Sequence, residues 1–494
     1  MKSKSFLLSL TFLSGAMVMV FEIIGARILA PYIGTSFLVW TALIGFVLAS
    51  LSFGNFLGGK WIDQKAKLSL PAYAFLGAGI SLLIVLLVKD HFLQWVLAHV
   101  KGIKASAIVS SFILFVPASI FFGMISPMMS KLLLIGSNKT GKTIGNVFAF
   151  GSIGSLVGTF MAGFYLLPNY SLSFILATLF FTSILLTIVL FIKEKKWTHS
   201  LLSFIIGILG IWLHFQENQA ADKYSYQYES QYNSIKVYPT VDYISGDSIL
   251  MMQLGLQRAG GMSLSGRPLP FNYLYYFRLA EHFNPGFKKS LMLGGAAYSF
   301  PKYYINQYKE AHLDVIEIDP EVTRVAEEYF QLKPHKNLHI IHQDARTYLN
   351  TCSDKYDVIY SDTFRNAISI PYQLTTIEAI QKQYDLLNDG GIVLINVIQA
   401  VKGKSSLFLQ AELKSFMQVF PQVYLFADRG AHQREEIQST IILAIKSNHP
   451  YVFNSNDSSI DSLLFKRVVE EIPLSQEVLT DDFAPVDYLA FRGL

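Results

Sequence analysis

The chain predicts two fold classes in series: a polytopic bundle of membrane-crossing α-helices, then a small β element leading into a doubly wound α/β domain. Three observations carry this. From Phe6 to Phe215 long uncharged runs alternate with short basic clusters, whereas beyond Gln216 charges recur every few residues. From Ser290 onward, short apolar runs (LMLGG, LDVIEID, LHIIHQD, YDVIYSD, GGIVLINVI) are separated by helix-length stretches. Between the two, 231–260 holds β-type runs split at Gly246-Asp247, and a helix is expected around 271–283. At 494 residues there is room for two or three domains. The expected boundaries are 1–215 for the membrane helices, 216–230 for a polar linker, 231–285 for the β-rich part and 286–494 for a Rossmann-like domain.

A helix needs about 20 apolar residues to cross the hydrocarbon core. Candidate spans are 6–30, 37–59, 70–89, 106–135, 145–168, 171–192 and 200–215, and the shortness of the last leaves six or seven. Lys2 and Lys4 before an apolar run mimic a signal peptide, but the further spans and the want of a cleavage pattern predict a retained helix. Basic residues at Lys2/Lys4, Lys60/Lys65/Lys67, Lys139/Lys142 and Lys193/Lys195/Lys196 mark the inner side; Lys89, Lys101 and Lys104 oppose that bias. If 200–215 spans, the α/β domain lies outside; if it rests in the interface, the domain is cytoplasmic. The cytoplasmic face of a cell membrane is the expectation. Glu22 and Arg27 fall in or near the first span, and Asp63 follows the second. A charge at membrane depth costs about 2.5–3.5 kcal/mol on insertion scales, so Glu22 reads either as part of a cation pocket or as one half of a pair with a snorkelling Arg27. Gly54, Gly58, Gly59, Gly151, Gly154, Gly158 and Gly163 recur at helical spacing and predict close helix packing.

Composition excludes some classes. The net charge of +4 is spread over membrane-flanking lysines, which gives no reason to expect nucleic acid. A single cysteine, Cys352, cannot form an intramolecular disulfide or a multi-cysteine metal site. His335, His339 and His342 cluster in sequence, yet His339 and His342 would point to opposite faces of a strand, so no metal is expected.

Strands alternating with helices predict a mainly parallel sheet whose ligand lies beyond the carboxyl ends of the strands. Each of the first four strands ends there in glycine or acid. Gly294 and Gly295 follow the first, Glu317 and Asp319 the second, Asp344 the third and Asp362 the fourth. Glycines admit a ligand close to the backbone, and a carboxylate after the second strand accepts hydrogen bonds from ribose hydroxyls. Asp319 before Pro320 reads as a helix cap. GGAAY does not supply the G-x-G-x-x-G turn of a nicotinamide site, so the pattern points to an adenosyl-sulfonium donor.

With these motifs, the chain resembles the spermidine synthase family of polyamine aminopropyltransferases, and within it the bacterial members fused to a multi-span membrane module. The soluble resemblance covers about 229–397; FEIIGARILAPYIGTSFLVW (21–40) and LTDDFAPVDYL (479–489) resemble stretches of the fused members. The resemblance implies a small β domain before a Rossmann-like, class I methyltransferase-type domain, often in a homo-oligomer. It implies transfer of an aminopropyl group from decarboxylated S-adenosylmethionine to an amine such as putrescine, without a metal. Carried over by position, Glu317 holds the ribose, Asp344 with Ala345 the adenine, and Asp362 deprotonates the amine. Tyr276 assists the amine, Gly294 and Gly295 line the donor, and Asn233 and Gln257 stand at family glutamines.

Four positions depart from the family. Gly-Gly-Gly-Asp-Gly becomes Gly294-Gly295-Ala296-Ala297-Tyr298; Asp-x-x-Asp becomes Asp362-Thr363-Phe364-Arg365; Tyr-His-Glu becomes Tyr276-Phe277-Arg278; and Gln253 replaces the acid of LDGxxQ. Ala297, Phe277 and Arg365 thus mark a rewritten substrate side, because an arginine where an acid would pair with ammonium repels it. Two alternatives stay open. One is alkyl or methyl transfer from S-adenosylmethionine itself, with Arg365 or Arg278 on a carboxylate. The other is a non-catalytic adenosyl-nucleotide sensor coupled to a membrane transporter. Asp481-Asp482 near the end either reach the site or cap a turn.

Overall fold

Long apolar runs condense into helices in the first part of the chain, even across Pro31 and Pro117. The structure, a computed structural model, describes residues 4–34, 36–135, 137, 139–219, 226–242, 245–255, 257–363, 371–475 and 477–491. Two units divide at Lys223/Tyr224.

The first unit comprises α1 (Lys4–Ile33), α2 (Phe37–Gln64), α3 (Ser69–His99), α4 (Ile103–Gly123), α5 (Ile125–Leu134), α6 (Thr140–Phe160), a π-helical turn (Met161–Leu166), α7 (Leu167–Asn169), α8 (Leu172–Lys193) and α9 (Trp197–Gln219). Six helical stretches of 22–32 residues are long and apolar enough to cross a membrane, with α4–α5 and α6–α7 each counting as one; α9 contributes a shorter apolar stretch, Trp197–Leu213. Glycines set the seams. A Cβ on Gly154 would sit 2.0 Å from the Phe12 carbonyl oxygen, and one on Gly58 2.5 Å from that of Met124. The backbones of α1 and α6, and of α2 and the α4–α5 junction, therefore approach closer than any side chain permits. Several polar groups in the bundle find partners within it, whereas the buried hydroxyls of Ser110, Ser111 and Ser183 have none among the described residues. Arg27 donates to the Leu167 carbonyl at 3.3 Å, and Tyr32 and Lys89 both donate to Asp90, at 2.8 and 2.5 Å. Asp63 pairs with Lys131 at 2.8 Å.

The second unit begins with an antiparallel sheet, β1 (Tyr226–Glu229), β2 (Ser234–Val241), β3 (Ser248–Leu254) and β4 (Gln257–Ser263), in that spatial order. The stretch 216–230, expected to be a linker, thus holds the end of α9 and all of β1. A 3₁₀ segment at Asn272–Leu279 runs into α10 (Ala280–Phe283), where the sequence predicted a single helix over 271–283.

The large sheet follows: β5 (Lys289–Leu293), α11 (Ser299–Gln307), β6 (His312–Ile316), α12 (Pro320–Tyr329), β7 (Leu338–Ile341), α13 (Ala345–Thr351), β8 (Tyr356–Ser361), α14 (Ile377–Leu386), β9 (Leu387–Gln399), α15 (Leu407–Val419), β10 (Gln422–Ala427), β11 (Gln438–Ile445), then α16 (Ser458–Leu464) and α17 (Val486–Phe491). Its seven strands lie in the order β10-β11-β9-β8-β5-β6-β7. β7, β6, β5, β8 and β9 are parallel, and β11 inserts antiparallel between β9 and β10. This is the Rossmann-like, methyltransferase-type order. Period-2 alternation feeds a core on each face: Met292, Val358 and Tyr360 face one side, Leu291, Leu293 and Ile359 the other. Chain order reverses between β5 and β8, which opens a crevice beyond their carboxyl ends.

Candidate active site

The crevice is built first from the turn after β5. Gly294 has φ +91°, and a Cβ there would meet the Asp362 carbonyl oxygen at 2.8 Å, so only glycine fits. Ala296 (φ +45°) and Tyr298 (φ +52°) also occupy the left-handed region, at the two positions where the family pattern has glycine. The loop keeps a glycine backbone with other residues, at a cost of about 1–2 kcal/mol each. Two contacts hold it. The Tyr298 hydroxyl bonds Thr323 Oγ1 at 2.7 Å, its ring lying where a Cβ on Gly295 would be, and the Glu317 carboxylate accepts from the loop.

Glu317 is the hub of the donor side. Its Oε2 accepts the Gly295 and Ala296 amides at 2.9 and 3.1 Å, and its Oε1 accepts the Asp319 amide at 3.0 Å. Asp319 caps α12 through the Glu321 amide at 3.1 Å, and its other oxygen accepts from Ser230 at 2.5 Å and Asn233 at 3.1 Å. Asn233 therefore ties the β1–β2 turn to the end of β6. Asp344 caps α13, with Oδ1 accepting the Thr347 amide at 2.9 Å and Ala345 opening the helix. Gln257 Oε1 is buried with no hydrogen-bond partner among the described residues. An orphaned buried acceptor fits a ligand that brings donors, as an adenosyl group does.

Asp362, one residue past β8, stands across the crevice. Tyr273 donates to its Oδ2 at 2.9 Å and Asn396 Nδ2 to its Oδ1 at 3.0 Å. Burial raises its pKa, while the hydrogen bonds from Asn396 and Tyr273 pull it down, and the raised direction wins. Burial and the Asp362 charge push the Tyr273 phenol well above its usual range, so it stays a donor. A carboxylate can only accept, so Asn396 turns its amide nitrogen to Asp362, and its Oδ1 is left buried without a partner among the described residues. A cavity of about 20 Å³, room for about one water, lies between Asp362, Tyr273, Gly294, Gly295, Ala297 and Gly260.

The remaining expected residues are distributed as follows. Ala297 is fully buried and lines the cavity, pressed so close to β4 that a Cβ on Gly260 would lie 2.8 Å from its own. The tyrosine on Asp362 is Tyr273, not the expected Tyr276, whose hydroxyl reaches the Ala427 carbonyl at 3.4 Å. Phe277 is core, packed on Phe300 and Tyr360. Arg278 is held by both oxygens of Glu281 (2.9 and 3.1 Å) and by Ser459. Gln253 stays within the β-sheet, accepting from Tyr238 at 2.8 Å. Arg365 lies outside the described residues. Asp481 clamps the C-terminal segment to Arg346 (2.5 Å) and Thr376 (2.6 Å). The three histidines part: His335 accepts the Asn337 amide, His339 faces Asp314 and His342 meets Thr323. Tyr273, Asn396 and Gly260 were missed. None of the three carried a sequence signal: Asn396 meets Asp362 only through the parallel register, which sets Ile395 opposite Ser361 and so brings their next residues together.

The strand order defines a Rossmann-like, methyltransferase-type domain. Residues 278–451 match the spermine/spermidine synthase domain. The chain is 28% identical over 224 residues to a polyamine aminopropyltransferase of Vibrio vulnificus, covering 42% of this chain and 71% of that one. It is 26% identical over 224 residues to a probable polyamine aminopropyl transferase of Bifidobacterium longum, covering 42% and 49%. Among solved structures, a probable spermidine synthase of Corynebacterium glutamicum aligns with 21% identity and a TM-score of 0.41, over 51% of this chain and 90% of that one.

Proposed function

We propose that the chain is a membrane-bound aminopropyltransferase that moves the aminopropyl group of decarboxylated S-adenosylmethionine to an amine, with Asp362 as base. One observation carries this: Asp362 faces the glycine loop while Tyr273 and Asn396 fix both its oxygens. A protonated amine is no nucleophile, so a carboxylate of raised pKa is suited to take its proton. The donor supplies a carbon made electrophilic by its sulfonium. The amine nitrogen forms a bond to that carbon as the carbon–sulfur bond breaks, methylthioadenosine leaves, and the amine proton passes to Asp362. Tyr273 orients the carboxylate, and the unpartnered Asn396 Oδ1 offers a second acceptor to the amine. Glu317 with Gly294 and Gly295 would hold the ribose side, Asp344 and Ala345 the adenine, and Gln257 would use its orphaned oxygen on the donor. Asn233 acts through Asp319.

A second reading is favoured by the contact between Ala297 and Gly260. With alanine at position 297 the glycine loop itself carries no acid to repel a donor carboxylate, which suits S-adenosylmethionine itself as an alkyl or methyl donor. Calorimetry on the full-length protein in detergent tests both readings, comparing decarboxylated S-adenosylmethionine, S-adenosylmethionine and methylthioadenosine, with products identified by mass spectrometry. Preference for the carboxylated donor would remove the aminopropyl reading. The bilayer reading rests on the six long apolar helices and on large side chains left exposed along them, among them Phe53, Phe56, Phe148, Phe160 and Phe164. The expected place of the second unit is the cytoplasmic face; protease accessibility in right-side-out and inverted vesicles decides it.

A further inference from the structure

A second opening lies on the same edge of the large sheet. It is a cleft of about 820 Å³, a size typical of small-molecule sites, between the 3₁₀ segment, the residues after β10 and the end of α16. Tyr275, Tyr276, Arg278, Asp428, Arg429 and Lys466 supply its chemistry. Two of the three cations are already neutralised: Arg278 by Glu281 and Arg429 by Glu436. Lys466 is not. Among the described residues its ammonium donates only to the Asp428 main-chain carbonyl, at 3.2 Å. The Asp428 carboxylate accepts no hydrogen bond from the described residues; burial raises its pKa although Lys466 and Arg429 lie near enough to oppose this. One anion and one cation, both half-buried and both short of a direct partner, thus share one wall, with two tyrosines beside them.

The placement relative to Asp362 sets a length. Asp362 and Asp428 each follow their strand by one residue, and β8 and β10 are three strand spacings apart, about 14 Å. Tyr273 and Tyr276, one turn apart on the same 3₁₀ segment, face the two positions in turn. A four-carbon diamine is too short to touch both ends.

We infer that this cleft holds the far end of the acceptor, and that this end is zwitterionic: its ammonium meets Asp428 and its carboxylate meets Lys466. The acceptor is then an extended amine ending in an α-amino acid, whose near nitrogen reaches Asp362. This inference rests on the transferase reading for the role of Asp362, but its test does not. Full-length protein in detergent, saturated with methylthioadenosine, is titrated with N-(3-aminopropyl)cadaverine and with Nε-(3-aminopropyl)-L-lysine, two probes of the same length that differ at the far end only by a carboxylate. The lysine derivative binds about tenfold or more tightly, as expected for a charge-assisted contact. Lys466→Gln and Asp428→Asn each weaken its binding by a similar factor, with methylthioadenosine affinity and Tm unchanged. Equal binding of the two probes, no binding of the lysine derivative, or an advantage that survives Lys466→Gln overturns the assignment. Turnover with decarboxylated S-adenosylmethionine is measured on the same samples. If the lysine derivative binds as described and no product forms, the transferase reading fails while the cleft assignment stands.

Discussion

Replacing Asp362 by asparagine removes one proton-accepting oxygen and almost nothing else. Asn396 Nδ2 keeps a carbonyl oxygen to donate to at Oδ1, and the Tyr273 hydroxyl can turn to accept from the new amide. The glycine loop does not depend on the side chain, because it hangs on Glu317. The expected loss is therefore confined to the proton transfer, about 10²–10⁴-fold in kcat, or about 3–5 kcal/mol of barrier. Stability moves the other way. The folded-state pKa of Asp362 is raised, so its contribution is fully present below the unfolded pKa and lost as pH rises through the folded one. At neutral pH Asp362→Asn is accordingly at least as stable as the parent. The assay pairs product formation by mass spectrometry with donor binding by calorimetry and Tm by scanning fluorimetry. Wild-type turnover, or donor affinity lost with the fold intact, refutes the assignment.

The other expectations are as follows. Tyr273→Phe removes a bond that lowers the Asp362 pKa, so the acidic limb of the kcat/KM profile moves to higher pH, whereas Tyr276→Phe leaves that limb in place. Glu317→Gln strips charge from an acceptor of three amides; at about 1.5–3 kcal/mol for a hydrogen bond to a charged group, methylthioadenosine binding falls at least tenfold by calorimetry. Gly154→Leu drives a side chain into the Phe12 carbonyl and destabilises the bundle by about 1–3 kcal/mol or more, visible as lost monodispersity in detergent; Gly145→Leu, with open space around it, is tolerated. Glu412 is fully buried with neither carboxyl oxygen partnered among the described residues, and burial raises its pKa far above the usual range. Its stabilising contribution is lost as pH rises through that pKa, so Glu412→Gln raises Tm more at pH 8 than at pH 5.

Most of the architecture was legible because its signals are local. Acid and glycine at successive strand ends, and uncharged runs of more than 20 residues, survive any detail of tertiary packing. The antiparallel insertion of β11 was not legible, since a buried strand reads the same in either direction. Nor was the choice between Tyr273 and Tyr276. They sit one 3₁₀ turn apart, about 6 Å along the axis, so they share a face and differ only in how far along it they reach. The identity of the sequence around Tyr276-Phe277-Arg278 favoured the wrong turn, and the helix predicted there has a different pitch. Asn396 depended on a pairing across 34 residues that only the sheet provides.

The loop from Gly294 to Tyr298 has a kinetic consequence. Two non-glycine residues in the left-handed region persist only if their surroundings hold them, and here Glu317 and the Tyr298–Thr323 contact do so from within the protein. The cradle is thus preorganised. Donor capture should need little rearrangement, with a single-step association whose rate scales linearly with concentration. In the free protein, the amides of Gly295, Ala296 and Asp319 should already exchange slowly with solvent, as though the nucleotide had just left.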